Sequence, residues 1–136
     1  MAGAVESALT AVNPSVLKGA ALTRALSRAL RDVVGLRSPP AEVWRGTYEG
    51  LRHLFTRLGE EEGGTTLDPA SEGDLQTLLF GPDLATEALR LRRADVVIAV
   101  AGFAPTLASG VLRADILACV AGERSAVVRD RLGAVL

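Results

Sequence analysis

Arg93–Gly102 reads RADVVIAVAG, and Arg113–Gly122, twenty residues further along the chain, reads RADILACVAG. Six of the ten positions are identical, and each copy begins with Arg-Ala-Asp and continues into an apolar run. A charged start followed by small and branched apolar residues is compatible with a buried helix and with a buried strand. The fold class therefore depends on which of these two structures the repeated segment adopts.

The strand interpretation gives an α/β protein, with strands near residues 95–100 and 115–120 joined by a short crossover. Such a chain would be a small ligand-binding domain or enzyme, with its site beside residues 102–106. Residues 1–92 contain no other convincing strand, however, and a sheet of two parallel strands is not stable alone. The sequence also lacks the GxGxxG and GxxxxGK[ST] phosphate-binding patterns. The α/β fold is therefore kept as the alternative.

The helical interpretation agrees with the composition, which is 49% hydrophobic but only 4% aromatic. A core of Leu, Val and Ala suits closely packed helices better than a β-sandwich. We predict one all-α domain over residues 1–136, a compact bundle of six to seven helices. In it the two repeat copies form a C-terminal apolar helical hairpin, and their alanines allow close approach. Capping residues, prolines and apolar periodicity place the helices near 3–12, 14–35, 40–58, 71–80, 83–102, 106–121 and 123–135.

The second and third predicted helices show the clearest amphipathic patterns. In the second, leucines lie on one face and arginines on the opposite face. In the third, one stripe is apolar and is expected to face the core; it consists of Trp44, Tyr48, Leu51, Phe55 and Leu58.

Charge is segmented along the chain, although the net charge is only −1. Residues 1–58 carry a net charge of +4, residues 59–89 a net charge of −8 and residues 90–136 a net charge of +3. The acidic part begins with a glycine-rich stretch, residues 59–73, which we predict to be a mobile loop.

Residues that could carry chemistry are few and widely separated in the sequence. His53 falls on the polar face of its helix and Cys119 in the most apolar segment, so they are poor candidates for a base and a nucleophile. The acidic run Glu60–Glu62 lacks the spacing of a calcium-binding loop. We therefore predict a non-enzymatic protein with no catalytic residues, no metal site and no cofactor.

Two clusters of basic residues are candidates for contact with a polyanion. One is an arginine stripe within residues 18–37, and the other is the run RLRR at residues 90–93. No aromatic residues are interleaved with them, and an ionic contact with the acidic segment is the competing interpretation. A nucleic-acid-associated protein is the first functional alternative, and its candidate contacts are Lys18, Arg24, Arg28, Arg31, Arg37, Arg90, Arg92 and Arg93.

Apolar helices that need covering on every side favour a protein that acts by association. We predict a self-assembling or protein-interaction subunit, such as a viral coat or matrix component or an adaptor, whose partner is itself or another protein. The predicted location is the cytoplasm or a virus particle. The uncharged stretch Val96–Leu112 is too short and too rich in glycine and polar residues for a membrane span, so buried helices are preferred there. The predicted oligomer contacts are Val97, Phe103, Leu107 and Val111.

Overall fold

The structure, a computed structural model, describes residues 19–34, 41–60, 67 and 69–136. The described part of the chain contains seven α-helices and no strand. In chain order the helices are α1 (Gly19–Val34), α2 (Ala41–Glu60), α3 (Pro69–Phe80), α4 (Glu87–Phe103), α5 (Pro105–Ser109), α6 (Arg113–Gly122) and α7 (Ala126–Gly133).

The all-α prediction is confirmed, and the α/β alternative is wrong. Residues 95–100 lie within α4 and residues 115–120 lie within α6. The β-branched run in α4 is helical because its core contacts follow a helical repeat: Ala94, Val96, Val97 and Val100 are all buried. The tertiary environment thus outweighs the local strand preference of valine and isoleucine.

The helix predicted over residues 106–121 is two helices, α5 and α6, separated by residues 110–112. Gly110 ends α5, where a Cβ atom would lie only 2.8 Å from the carbonyl oxygen of Thr106. The backbone N–H of Leu112 donates to the carbonyl of Leu107, five residues earlier, at 3.0 Å, and not to the carbonyl four residues earlier as in a regular α-helix. This turn allows Leu107, Leu112 and Ile116 all to enter the core.

Helices extend into both ends of the loop that was predicted over residues 59–73. Helix α2 continues through Glu60, and α3 already begins at Pro69. Most of what remains of this segment lies outside the described residues, as does the helix predicted near 3–12. The mobility of the segment stays a prediction.

The helices are arranged as stacked pairs. Helix α1 packs on α3 and α2 packs on α4, so the pair α1–α2 stacks on the pair α3–α4. Helix α7 packs on α4 in turn. Helix α6 packs on α7 to form the third pair, and a hydrogen bond from the Gln76 amide to the Asp115 carboxylate joins α6 to α3. One layer therefore contains α1, α3 and α6, and the other contains α2, α4 and α7.

The two repeat copies occupy different layers of this arrangement. Helix α4 packs most extensively against α2, whereas α6 packs mainly against α7. The alanines were predicted to pack the two repeat copies against each other. Ala94 of α4 is buried, but Ala114, Ala118 and Ala121 of α6 are exposed. Helix α4 is instead tied to its neighbours by ion pairs: Arg92 pairs with Glu49 on α2, and Asp95 pairs with Arg131 on α7.

The core lies between the layers and is centred on the stripe of α2. Tyr48, Leu51 and Phe55 are completely buried, and the ring of Phe55 packs on Phe103 with 5.5 Å between centroids. The Tyr48 hydroxyl donates a 2.9 Å hydrogen bond to the carbonyl of Leu78 in the last turn of α3. That carbonyl has no partner within its own helix, so the bond satisfies a buried acceptor and joins the layers. No helix in the described ranges is long and apolar enough to cross a membrane.

Candidate functional site

Helix α6 presents an exposed apolar face to solvent. Its members follow the helical spacing i, i+3, i+4 and i+7, and all four are exposed: Ala114, Leu117, Ala118 and Ala121. Leu117 is 43% exposed, and Val111 in the preceding turn is 47% exposed. We call these five residues the α6 face. A contiguous apolar patch of this kind marks a site of contact with another macromolecule more often than an isolated exposed leucine does.

The oligomer contacts predicted from the sequence coincide with this face at one position only. Val111 is exposed, as the prediction requires. Val97 and Leu107 are buried in the core, and Phe103 is half-buried against Phe55, so these three are core residues rather than contacts. The α6 face was missed because its small apolar residues were assigned to a helix–helix contact within the chain.

The predicted polyanion contacts are dispersed, and several are already paired. Arg24, Arg28 and Arg31 are exposed on α1, and the Nε atom of Arg31 lies 3.3 Å from the Asp74 carboxylate. This pair is an ionic contact with the acidic segment, the competing interpretation of the stripe. Lys18 and Arg37 lie outside the described residues.

The three arginines at residues 90–93 have different environments. Arg92 pairs with Glu49 on α2. Arg90 donates through Nε to both carboxylate oxygens of Glu123, at 3.1 and 3.2 Å, and through Nη1 to the carbonyls of Leu84 and Ala85. Arg93 is buried. Several N–H donors of Arg90 and Arg92 therefore already have acceptors within the chain, which leaves fewer donors for phosphate groups.

A cleft of about 360 Å³ opens between α4 and the C-terminal end of α6. Its walls bring together residues from the two repeat copies and from the loop after α6. They are Ala85, Arg90, Arg93, Cys119, Gly122, Glu123 and Arg124. The cleft lies at the same end of α6 as Ala121, so it adjoins the α6 face.

Arg93 is the unusual member of this cleft. The residue is only 7% exposed, and its Nε atom is fully buried without a hydrogen-bond acceptor. No carboxylate of the described residues forms an ion pair with it. Buried cations in proteins are normally paired and hydrogen-bonded, because removing a charge from water is costly. Arg93 is thus an uncompensated positive charge in the wall of the cleft.

The two acidic side chains that line the cleft with Arg93, Cys119 and Glu123, do not neutralise it. Burial raises the pKa of the Cys119 thiol despite the opposing effect of Arg93, so the thiol stays neutral near pH 7. Desolvation opposes ionisation of Glu123, but the backbone N–H of Ser125 and the charge of Arg90 outweigh it and lower the pKa of the Glu123 carboxyl. The Glu123 carboxylate is therefore ionised, but it is already bound to Arg90 and to Ser125.

The lowered pKa of Glu123 predicts a loss of stability in acid. A carboxyl whose pKa is lower in the folded state stabilises the fold above its ordinary pKa of 4.5, and this contribution disappears as pH falls through the folded value. We expect the free energy of unfolding to fall as the pH is lowered below 4.5, and Glu123→Gln to remove part of that slope. Urea unfolding at a series of pH values measures this. An equally steep slope in the variant would show that other carboxyls cause the acid sensitivity.

The residues considered for catalysis do not form a reactive site in the structure. His53 is exposed on α2, and Cys119 lines the cleft on α6 with its raised pKa, which disfavours the thiolate. Among the residues that the structure describes, no group of three or more His, Cys, Asp or Glu side chains could hold a metal ion. Glu60 is exposed, and the other two members of its acidic run lie outside the described ranges.

The chain matches the model of a known protein family. A protein-family model described as "ECM29, C-terminal ARM-like repeats" matches residues 1–136, the whole chain. No curated protein and no solved structure matches it. The last two stacked pairs agree with such a repeat: their first helices begin at residues 69 and 113, which are 44 residues apart, within the roughly 40–47 residues of armadillo-type repeats. ARM-like repeats stack helical units and present extended surfaces to other proteins. The chain is therefore a helical protein-interaction domain that belongs to the family of ECM29 C-terminal ARM-like repeats.

Proposed function

We propose that this domain acts without catalysis, as an adaptor that binds an amphipathic helix of a partner protein along the α6 face. The observation that carries the proposal is the exposure of Ala114, Leu117, Ala118 and Ala121 on one side of a helix whose Ile116 is buried in the core. Repeats of this type bury apolar faces by stacking one helical unit on the next. An exposed face of the same composition is suited to receive one more helix in the same manner.

The charges around the α6 face indicate what the bound helix would carry. Arg113 is exposed at the N-terminal end of α6, and Arg124 is exposed just beyond its C-terminal end. The acidic residues nearest to them are engaged, since Asp115 accepts a hydrogen bond from Gln76 and Glu123 binds Arg90. Electrostatic complementarity therefore favours a partner helix with an apolar stripe and acidic residues near its ends.

The same charges weigh against self-assembly through this face. In an antiparallel pair of α6 helices from two copies, Arg113 of one copy would approach Arg124 of the other. In a parallel pair, Arg113 would approach its own counterpart. Like charges at an interface are unfavourable, so we assign the face to a different protein rather than to a second copy. The viral coat or matrix role has no support in the family match, and the cytoplasmic location stays a prediction.

Substitution of Leu117 by glutamate tests the proposal. We expect the variant to bind selected helices at least tenfold more weakly, because the carboxylate would be buried in an apolar contact without a partner. The ligands come from a display library of 18-residue amphipathic helices selected on the unmodified chain, and fluorescence anisotropy measures their Kd. Since Leu117 is exposed, thermal unfolding should change little.

Val127→Glu is the matched control. Val127 is 53% exposed on α7, outside the α6 face, so its substitution introduces the same charge without touching the proposed contact. An unchanged Kd for Leu117→Glu, or an equal loss for both variants, would overturn the assignment. Light scattering during size-exclusion chromatography completes the test. A dimer that Leu117→Glu converts to a monomer would replace the foreign helix by a second copy of this chain.

A further inference from the structure

We infer that the cleft beside Arg93 is a binding site for a carboxylate, and that the acidic side chain of the partner helix occupies it. The assignment of this carboxylate to a partner helix rests on the proposed function. The chemistry of the site rests on the cleft alone: an arginine in its wall that is only 7% exposed and forms no ion pair with a carboxylate of the described residues. A buried arginine without a counter-charge requires an explanation, and a ligand that supplies the negative charge is a physical one.

The electrostatics of the cleft match one negative charge. Arg90 and Glu123 neutralise each other through two hydrogen bonds. Arg93 is left with one uncompensated positive charge, and Arg124 lies exposed at the rim. A carboxylate brings a single charge and a planar pair of oxygens that suits the arginine fork. A phosphate dianion would bring two charges to a site with a single buried cation, and its second charge would depend on the exposed Arg124 at the rim.

The position of the cleft connects it with the proposed helix site. Cys119 and Gly122 belong to α6 and line the cleft, while Ala118 and Ala121 on the same two turns form part of the α6 face. A helix lying along α6 therefore places the side chains of one end near the mouth of the cleft. The volume of about 360 Å³ is at the lower end of the range of roughly 300–1,000 Å³ found for small-ligand sites, which is sufficient for an Asp or Glu side chain.

The first experiment uses acetate as the probe and follows the Nε–Hε signal of Arg93 by NMR at constant ionic strength. We expect a saturable shift with acetate in the unmodified protein and in Arg92→Met, whose substituted residue pairs with Glu49 instead of lining the cleft. Resonances of Cys119 and Gly122 should shift with the same midpoint, and Arg93→Met should abolish their response. The absence of any saturable shift, or a tighter response to inorganic phosphate than to acetate, would overturn the carboxylate assignment.

The second experiment repeats the helix selection on Arg93→Met. Helices selected on the unmodified chain should be enriched in Asp or Glu at one end. They should bind Arg93→Met about 10- to 100-fold more weakly, the range expected for a hydrogen bond to a charged group. Replacing the acidic residue of the peptide by its amide should cause the same loss in the unmodified chain and little further loss in the variant. Equal binding by both chains would refute the role of Arg93.

The two experiments separate the failure of this inference from the failure of the proposed function. Helices that bind the α6 face without acidic enrichment would leave the proposed function standing and remove the role of Arg93. The opposite outcome is a specific response to acetate, while no selected helix binds more weakly to Leu117→Glu than to the unmodified chain. The cleft would then be an anion site, and the α6 face would lose its assignment.

Discussion

Replacing Phe55 by alanine is expected to lower the free energy of unfolding by about 3–5 kcal/mol. Phe55 is completely buried in α2, and its ring packs on Phe103 of α4, across the most extensive helix contact of the described structure. The loss combines the transfer free energy of the ring with the cavity that it leaves, because close-packed helices relax only partly. Small domains are stable by about 5–15 kcal/mol, so the variant would lie near the limit of folding.

Urea unfolding followed by circular dichroism measures the effect of Phe55→Ala. His53→Ala is the control in the same helix, since His53 is exposed and should change the stability by no more than about 0.5 kcal/mol. A loss below about 1 kcal/mol for Phe55→Ala would mean that α2 and α4 do not form a tightly packed contact in solution. Such a result would contradict the stacking of the first two helix pairs.

The contrast between α2 and α4 explains which parts of the fold were predictable from the sequence. In α2 the apolar stripe has charged residues opposite it, and Tyr48, Leu51, Phe55 and Leu58 are buried as predicted. Helix α4 is apolar on almost every side after Asp95, so its periodicity does not identify the inner face. Val97 is buried, whereas Ile98 beside it is 39% exposed, a difference that arises only from packing against other helices.

The arrangement of the helix pairs was also beyond the sequence pattern. The repeat of twenty residues suggested two packed copies, but the structure stacks pairs with a much longer spacing and places the copies in different layers. The ion pairs that join the layers and pairs are long-range, such as Arg90 with Glu123 and Asp95 with Arg131. Contacts between residues so distant in sequence leave no local pattern to detect.

The candidate site shows the same limit more sharply. Arg90, Arg92 and Arg93 look equivalent in the sequence, and all three were assigned to contact with a polyanion. Helix geometry turns them in different directions, toward Glu123, toward Glu49 and into the wall of the cleft. Burial distinguishes Arg93, and burial depends on how α2 and α7 pack on α4.

Replacing Arg93 by methionine is expected to raise the free energy of unfolding of the free protein by about 1–3 kcal/mol. Methionine keeps most of the aliphatic volume and removes a buried charge whose Nε atom has no acceptor. Arg92→Met should instead change stability by no more than about 1 kcal/mol, because it loses a partly exposed ion pair. Urea unfolding measures both variants. A loss of stability in Arg93→Met would mean that the arginine makes a compensating interaction within the folded chain.

Acetate adds an independent measurement to the same comparison. A ligand that binds only the folded state stabilises it in proportion to its occupancy. The unmodified protein should therefore gain stability when acetate replaces chloride at constant ionic strength, and Arg93→Met should gain only the general salt effect. If both gains were equal, acetate would not bind at Arg93. If the unmodified protein gains more, and Arg93→Met is the more stable chain without acetate, the buried charge lowers the stability of the free fold and strengthens the bound state, as expected where a site is kept ready for a ligand.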